Sequence, residues 1–252
     1  MELAPLTQGI ILAAFLAFCR IGACFMLMPG TSSVRVPLQI RLFVAIAVTF
    51  GLLTFLWDKI HPFVDPHPSV LVPMILSELL IGGLIGAMTR LYMEALRFIG
   101  AAIAMLIGLS NMGGPAIEEP DPQAVLAEII SFSALLFLFV FDFHHEVIRA
   151  LVSSYTVAPI NVFFNPQLAL VDITDTLSDA FFLVIRLGSP FVAYAILVNL
   201  TIGFVNKLTP QIPVYFISLP FVIAGGMFLF YFAIGTMLSL FAGGFVDMTL
   251  AR

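Results

Sequence analysis

Charge is what this chain has least of. Of its 252 residues only 10% are charged while 61% are apolar, where a soluble chain carries about a quarter charged. The net charge of −5 supplies no basic surface and excludes a nucleic-acid partner. Cysteine is nearly as scarce. Cys19 and Cys24 lie five apart in one apolar run, a spacing that sends them to different sides of a helix. Neither a disulfide nor a thiolate metal site is expected from them, and both read as buried apolar thiols. Catalytic signatures are lacking too. There is no nucleophile elbow and no HExxH, and no lysine follows Gly113-Gly114 to make a phosphate cradle. No enzyme activity and no cofactor are therefore expected. Met1-Glu2 brings no basic n-region, and no small-residue cleavage pattern follows the first apolar run, so that run is expected to remain as an anchor. Self-similarity at a 20–50-residue period is absent, which removes repeat architectures.

What is present is length in apolar runs. They fall at about Leu6–Met28, Leu42–Trp57, Val70–Met88, Tyr92–Leu109, Ala124–Phe141, Phe181–Leu200 and Val214–Phe245. A helix needs about 20 apolar residues to cross the hydrocarbon core. Arg20 and Glu78 interrupt two of these runs, and Glu128 shortens a third. The uncharged stretch from Leu208 to Val246 would be far too long as one spanning helix, so Gly225-Gly226 is the expected place for a hairpin. The fold class is an all-α membrane protein of about seven apolar segments plus a short amphipathic helix. That helix is His144–Tyr155, with Ile148, Leu151, Val152 and Tyr155 on one face, suited to a membrane surface or a partner. Arginines in the connections Val34–Arg41 and Arg90–Arg97, against acidic Asp58–His67 and Asn111–Glu128, favour an N-terminus outside the cytoplasm.

Charges inside apolar runs come next, since each costs about 3 kcal/mol at mid-membrane on insertion scales. Arg20, Glu78 and Arg186 read either as an ion or substrate pathway or as pairs across helices or subunits. Arg41, Asn199 and Gln211 join them as candidate inter-helix or inter-subunit polar contacts. His144-His145 beside Asp142 and Glu146 resembles a metal cluster, but adjacent histidines on a helix point to different faces and no third ligand stands at i+4. The expectation is a polar interface with no metal. Asp172, Asp175 and Asp179 are expected to lead into the next helix, with Asp175 or Thr174 as its cap. Gly82, Gly83 and Gly86 would let another backbone approach closely.

One stretch cannot be helical. Gly108–Gln123, GLSNMGGPAIEEPDPQ, holds three glycines, three prolines and three carboxylates between two apolar runs. Such backbone is tolerated near a membrane only where protein or water satisfies it. It reads either as a functional element or as an ordinary acidic loop in solvent.

Three segments together carry a family resemblance. RIGACFMLMPGTSSVRVPLQIRLFVAIAVT from Arg20, with Pro29, Pro37 and Arg41, resembles the opening of the FliR family of flagellar export proteins. FHHEVIRALVSSYTVAP at Phe143–Pro159 is similar to that family's Gly-His-His segment, with Phe143 in place of the glycine of its tight turn. NLTIGFVNKLTPQIPVYFISLP at Asn199–Pro220 is similar to its Asn…Gly…Pro-Gln stretch. The resemblance implies one multi-pass domain in the bacterial inner membrane at the flagellar basal body, with 1–176 FliP-like and 177–252 FliQ-like. It implies a type III export gate built with FliP- and FliQ-like subunits and other export-apparatus membrane proteins, passing unfolded flagellar substrates. It also implies a channel plug at Ser110, Asn111, Met112, Gly113, Gly114, Pro115, Ala116, Ile117, Glu118, Glu119, Pro120, Asp121 and Pro122. Virulence secretion has a close relative of this family. The competing class is a small-solute secondary transporter, which would need two related halves with broken helices.

Overall fold

The computed structural model describes residues 3–33, 36–109 and 122–250. Among them there are seven α-helices and no strand: α1 (Leu3–Leu27), α2 (Leu38–Ile60), α3 (Pro68–Leu106), α4 (Pro122–Val140), α5 (Phe143–Val157), α6 (Pro166–Leu208) and α7 (Val214–Leu250). A short 3-10 turn, His61–Phe63, follows α2. Five helices, Gln8–Leu27, Leu38–Phe63, Pro68–Leu106, Pro166–Leu208 and Val214–Phe245, are long and apolar enough to cross a membrane. Val125–Val140 with Phe143–Val157 adds a sixth if that interrupted pair is one span. The chain is an all-α, multi-pass membrane protein.

Proline marks where helices start. Pro68, Pro122 and Pro166 each open one, and Pro37 and Pro213 stand immediately before two more. A proline costs nothing in the first turn, where its missing N–H would have no partner. Left-handed backbone marks other breaks, at Gly30 (φ +89°), Gly108 (φ +86°) and Asp142 (φ +56°).

Several expectations are corrected. Val70–Met88 and Tyr92–Leu109 are one helix, α3, of 39 residues. The charged residues between them are strong helix formers at helical spacing, with Arg97 bonded to Glu94 at 3.4 Å, so nothing there breaks the backbone. Arg90–Arg97 is therefore no connection, and it drops out of the inside–outside balance. Thr174 and Asp175 lie inside α6, not at its start. Asn165 caps that helix instead, its Oδ1 accepting from the Gln167 N–H at 2.9 Å. The final apolar region does not fold back at Gly225-Gly226, because α7 runs through both glycines. They serve close packing: a Cβ at Gly225 would sit 2.6 Å from the Tyr194 hydroxyl, and one at Gly226 would enter Ile107. Pro210 and Pro213 instead flank the turn between α6 and α7, whereas Pro220 is taken up within α7.

The chain divides into two compact units. One runs to Leu91 and adds Asp142–Leu177 and the last residues from Val246; the other comprises Tyr92–Phe141 and Ser178–Phe245. In the first, α2 packs along α1 and α5 touches α2. The buried stripe of α5 is Phe143, Val147, Leu151 and Tyr155; of the face read off the sequence, Leu151 and Tyr155 lie on that stripe, whereas Ile148 and Val152 are half-buried beside it. Ser154 and Tyr155 both turn to Arg20, which draws the helix to that side. In the second unit, Tyr92 packs on Phe241 and Phe245 with ring centroids 5.3 and 5.9 Å apart. Gly188 there accommodates Ile99, and the Tyr194 hydroxyl donates to the Val222 carbonyl at 2.6 Å.

Candidate functional site

The chemistry of the first unit concentrates on one buried ion pair. Arg20, in the last third of α1, is fully buried, and Glu78 of α3 is 1% exposed. The guanidinium meets the carboxylate side-on, Nε donating to Oε2 at 2.8 Å and Nη2 to Oε1 at 2.6 Å. Its Nη1 donates to the Ser154 hydroxyl at 3.0 Å and Nη2 also to the Ala158 carbonyl at 2.9 Å. The guanidinium carbon lies 3.9 Å from the centroid of the Tyr155 ring, a cation–π contact in a desolvated place. Four N–H donations and an aromatic face thus replace the water that Arg20 gives up.

The backbone is shaped to admit this pair. Gly82 faces α1 so closely that a Cβ would collide with the Arg20 carbonyl, and a Cβ at Gly86 would come within 2.6 Å of the Cys24 carbonyl. Gly83 has ordinary room beside Leu27. Two glycines one turn apart therefore bring α1 and α3 together where Arg20 reaches Glu78. Ser77, next to Glu78, accepts the Phe164 N–H at 2.8 Å, which ties the segment after α5 to α3. Ser154 has two sides: it bonds Arg20, and it lines a mostly apolar cavity of about 230 Å³ shared with Ile81, Met88, Val162 and Leu168. Cys19 and Cys24 are both free and buried.

The remaining candidates lie elsewhere. Arg41 serves its own turn, Nε donating to the Val36 carbonyl at 3.1 Å and Nη2 to that of Ser33. Asn199 donates to the Ala195 carbonyl of its own helix at 2.8 Å. Gln211 is exposed in the turn between α6 and α7. Arg186 is exposed on α6, and its side chain has no partner among the described residues. Ser110–Asp121 lie outside the described residues, and Pro122 is the first residue of α4. Sequence reasoning misses Ser154 and the Ala158 carbonyl, and gives Tyr155 only a place on one face of the short amphipathic helix. The signal for them is their place in the 143–159 stretch that carries the family resemblance.

His144 and His145 do not diverge. Their ring centroids are 4.2 Å apart at the start of α5, where the helix is only beginning and Asp142 precedes it in left-handed backbone.

The family described as "Bacterial export proteins, family 1" matches residues 11–248. The flagellar biosynthetic protein FliR of Caulobacter vibrioides is 30% identical over 219 residues, 85% of each chain. That of Aquifex aeolicus is 25% identical over 230 residues, 88% of this chain and 84% of its own. That of Escherichia coli is 26% identical over 215 residues, 84% and 80% respectively. With almost the whole length matched and the apolar helices in place, the chain belongs to the FliR family, as a multi-pass inner-membrane component of the flagellar export apparatus.

Proposed function

We propose that the chain is a non-enzymatic, structural subunit of the flagellar type III export channel, assembled with FliP- and FliQ-like partners around a path for unfolded substrates. The observation that carries this reading is helix length combined with exposure. α3, α6 and α7 contain 39, 43 and 37 residues. At 1.5 Å per residue they measure about 55–65 Å, roughly twice the hydrocarbon thickness. Yet their apolar side chains are largely uncovered within the chain, only 6% of the α7 window being buried. Phe181, Phe182, Phe216, Phe221 and Phe228 all stand exposed. Lipid covers about half of such a length, and neighbouring protein has to cover the rest. Arg186 fits the same surface, since an uncompensated arginine on an apolar helix calls for a carboxylate from a neighbour. Arg20 and Glu78 satisfy each other and so support architecture over ion relay.

In this reading 1–176 forms a FliP-like part and 177–252 a FliQ-like part, and Ser110–Pro122 closes the channel. The composition of that loop suits the task. Gly113 and Gly114 permit rearrangement at low backbone cost, Met112 supplies an adaptable sealing side chain, and Glu118, Glu119 and Asp121 tolerate a wet lumen.

Purification in mild detergent tests the assembly: FliP- and FliQ-like proteins are expected to co-purify, and recovery as a lone, functional monomer overturns the reading. Deleting Asn111–Glu119 tests the plug. Cells carrying the deletion are expected to leak ions or small solutes through the assembled complex, and unchanged permeability sinks the plug while leaving the assembly standing.

A further inference from the structure

Outside the Arg20 cluster, one group of potential ligands converges among the described residues, at the start of α5. Asp142, His144 and His145 each present a ligand atom, and the three atoms lie within 4.8 Å of one another. The His145 Nδ1 is 3.6 Å and the His144 Nε2 3.9 Å from the same Asp142 oxygen, Oδ1. A tetrahedral divalent ion with bonds of about 2.0–2.2 Å holds its ligands about 3.3–3.5 Å apart, so small side-chain rotations bring these atoms to binding distance. The carboxylate and two neutral imidazoles carry one negative charge between them, which suits a borderline divalent cation over Mg²⁺ or Ca²⁺.

The neighbourhood supports the same conclusion. Asp142 adopts φ +56°, the left-handed region that aspartate enters more readily than most residues, and there its carboxylate lies 3.6 Å from the His145 ring. It is the sole non-glycine residue with positive φ among the described residues. Glu146, the other acid of the segment, is engaged by Arg149 at 3.1 and 3.2 Å and does not compete for the ion. Phe143, between the ligands in sequence, is fully buried and anchors the start of α5. Asp142 and His145 are 71% and 64% exposed, so an ion reaches the site from solvent and keeps water in its fourth position. His67 and Asp65 form a pair at 2.6 Å, in which the His67 backbone N–H and then its ring hold the Asp65 carboxyl below its ordinary range. That pair supplies only two ligands and serves as an internal control.

We infer that Asp142, His144 and His145 form a site for a borderline divalent transition-metal ion such as Zn²⁺, clasping the left-handed residue to the first turn of α5.

The test uses the full-length chain, purified in detergent through a histidine-free tag, stripped with chelator and titrated with ZnCl₂. One ion is expected per chain, with a thermal midpoint that rises with Zn²⁺ and not with Mg²⁺. H145Q and D142N are each expected to weaken binding by about tenfold or more, asparagine being able to keep the left-handed backbone. H67Q is expected to leave binding intact. Absence of zinc uptake by the native chain, or uptake unchanged in both H145Q and D142N, overturns the inference. Co²⁺ gives a readout that needs no variant: a visible absorption band from a nitrogen- and oxygen-ligated ion is expected, and its absence overturns the inference equally.

Discussion

The two compact units hold themselves together by different physics. The first buries charge and directs it: Arg20 and Glu78 meet side-on, with Ser154, Ala158 and Tyr155 completing the guanidinium's surroundings. The second relies on shape. Glycines admit Ile99, Ile107 and Tyr194, aromatic rings close around Tyr92, and the one arginine of its α6 portion faces outward. A buried ion pair is directional and punishes the loss of either member, because the survivor is left charged and dry. Small-to-large packing is graded, since neighbours can yield a little. The difference teaches that the first unit is specified by a few contacts that cannot be exchanged singly, and the second by the fit of many.

Five variants break or sharpen that contrast. The largest effect is expected from Glu78→Ala, which strands the Arg20 guanidinium and should cost about 3–5 kcal/mol. Thermal unfolding in detergent should show a large drop in Tm, with little folded protein recovered. The double variant Arg20→Met with Glu78→Leu sharpens the point, because replacing the pair with apolar groups is expected to recover most of that loss. A double variant as unstable as Glu78→Ala would mean that the region depends on the hydrogen bonds to Ser154 and Ala158 more than on charge balance.

A smaller effect is expected in the second unit. Gly226→Leu pushes a side chain into Ile107 and should cost about 1–3 kcal/mol. Gly235→Ala, where nothing lies within 4 Å, should instead stabilise by about 0.4–1 kcal/mol. Equal responses at the two positions would remove the claim that glycine packing holds this unit.

The smallest effect on the chain itself should come from Arg186→Ala, within about 0.5 kcal/mol in the isolated protein. Its expected consequence is lower co-purification of partner subunits. Unchanged recovery of partners would show that Arg186 faces lipid headgroups or solvent and makes no subunit contact.

The sequence makes part of this legible. Apolar content and the rarity of charge indicate an all-helical membrane protein, and proline at a helix start, as at Pro166, is a local signal. Pro210 and Pro213 flank the turn between α6 and α7 for the same local reason. Continuity is harder to see. Arg90, Glu94 and Arg97 look like a polar connection yet belong to α3, because helix propensity and the hydropathy of a connection are separate properties. Gly225-Gly226 looks like a turn yet is helical, because the same missing side chain that permits a turn also permits close packing. At the candidate site Arg20 and Glu78 are conspicuous as charges in apolar runs. Their pairing spans 58 residues, and the Ser154 contact spans 134. Periodicity along the chain does not reach that far.

By itself, then, the sequence determined the class of structure and the family, since both depend on properties that each segment carries alone. A bilayer requires apolar side chains and helices that satisfy their own backbones, and composition records that demand directly. The tertiary structure decided which charges are paired and which face outward. Arg20 and Arg186 look alike in sequence, each an arginine within an apolar run. Only Arg20 has Gly82 and Gly86 opposite to bring a carboxylate within 3 Å, whereas Arg186 projects from a helix whose surface the chain does not cover. A charge is settled by what comes within a few ångströms of it, and that proximity is created only when the helices pack.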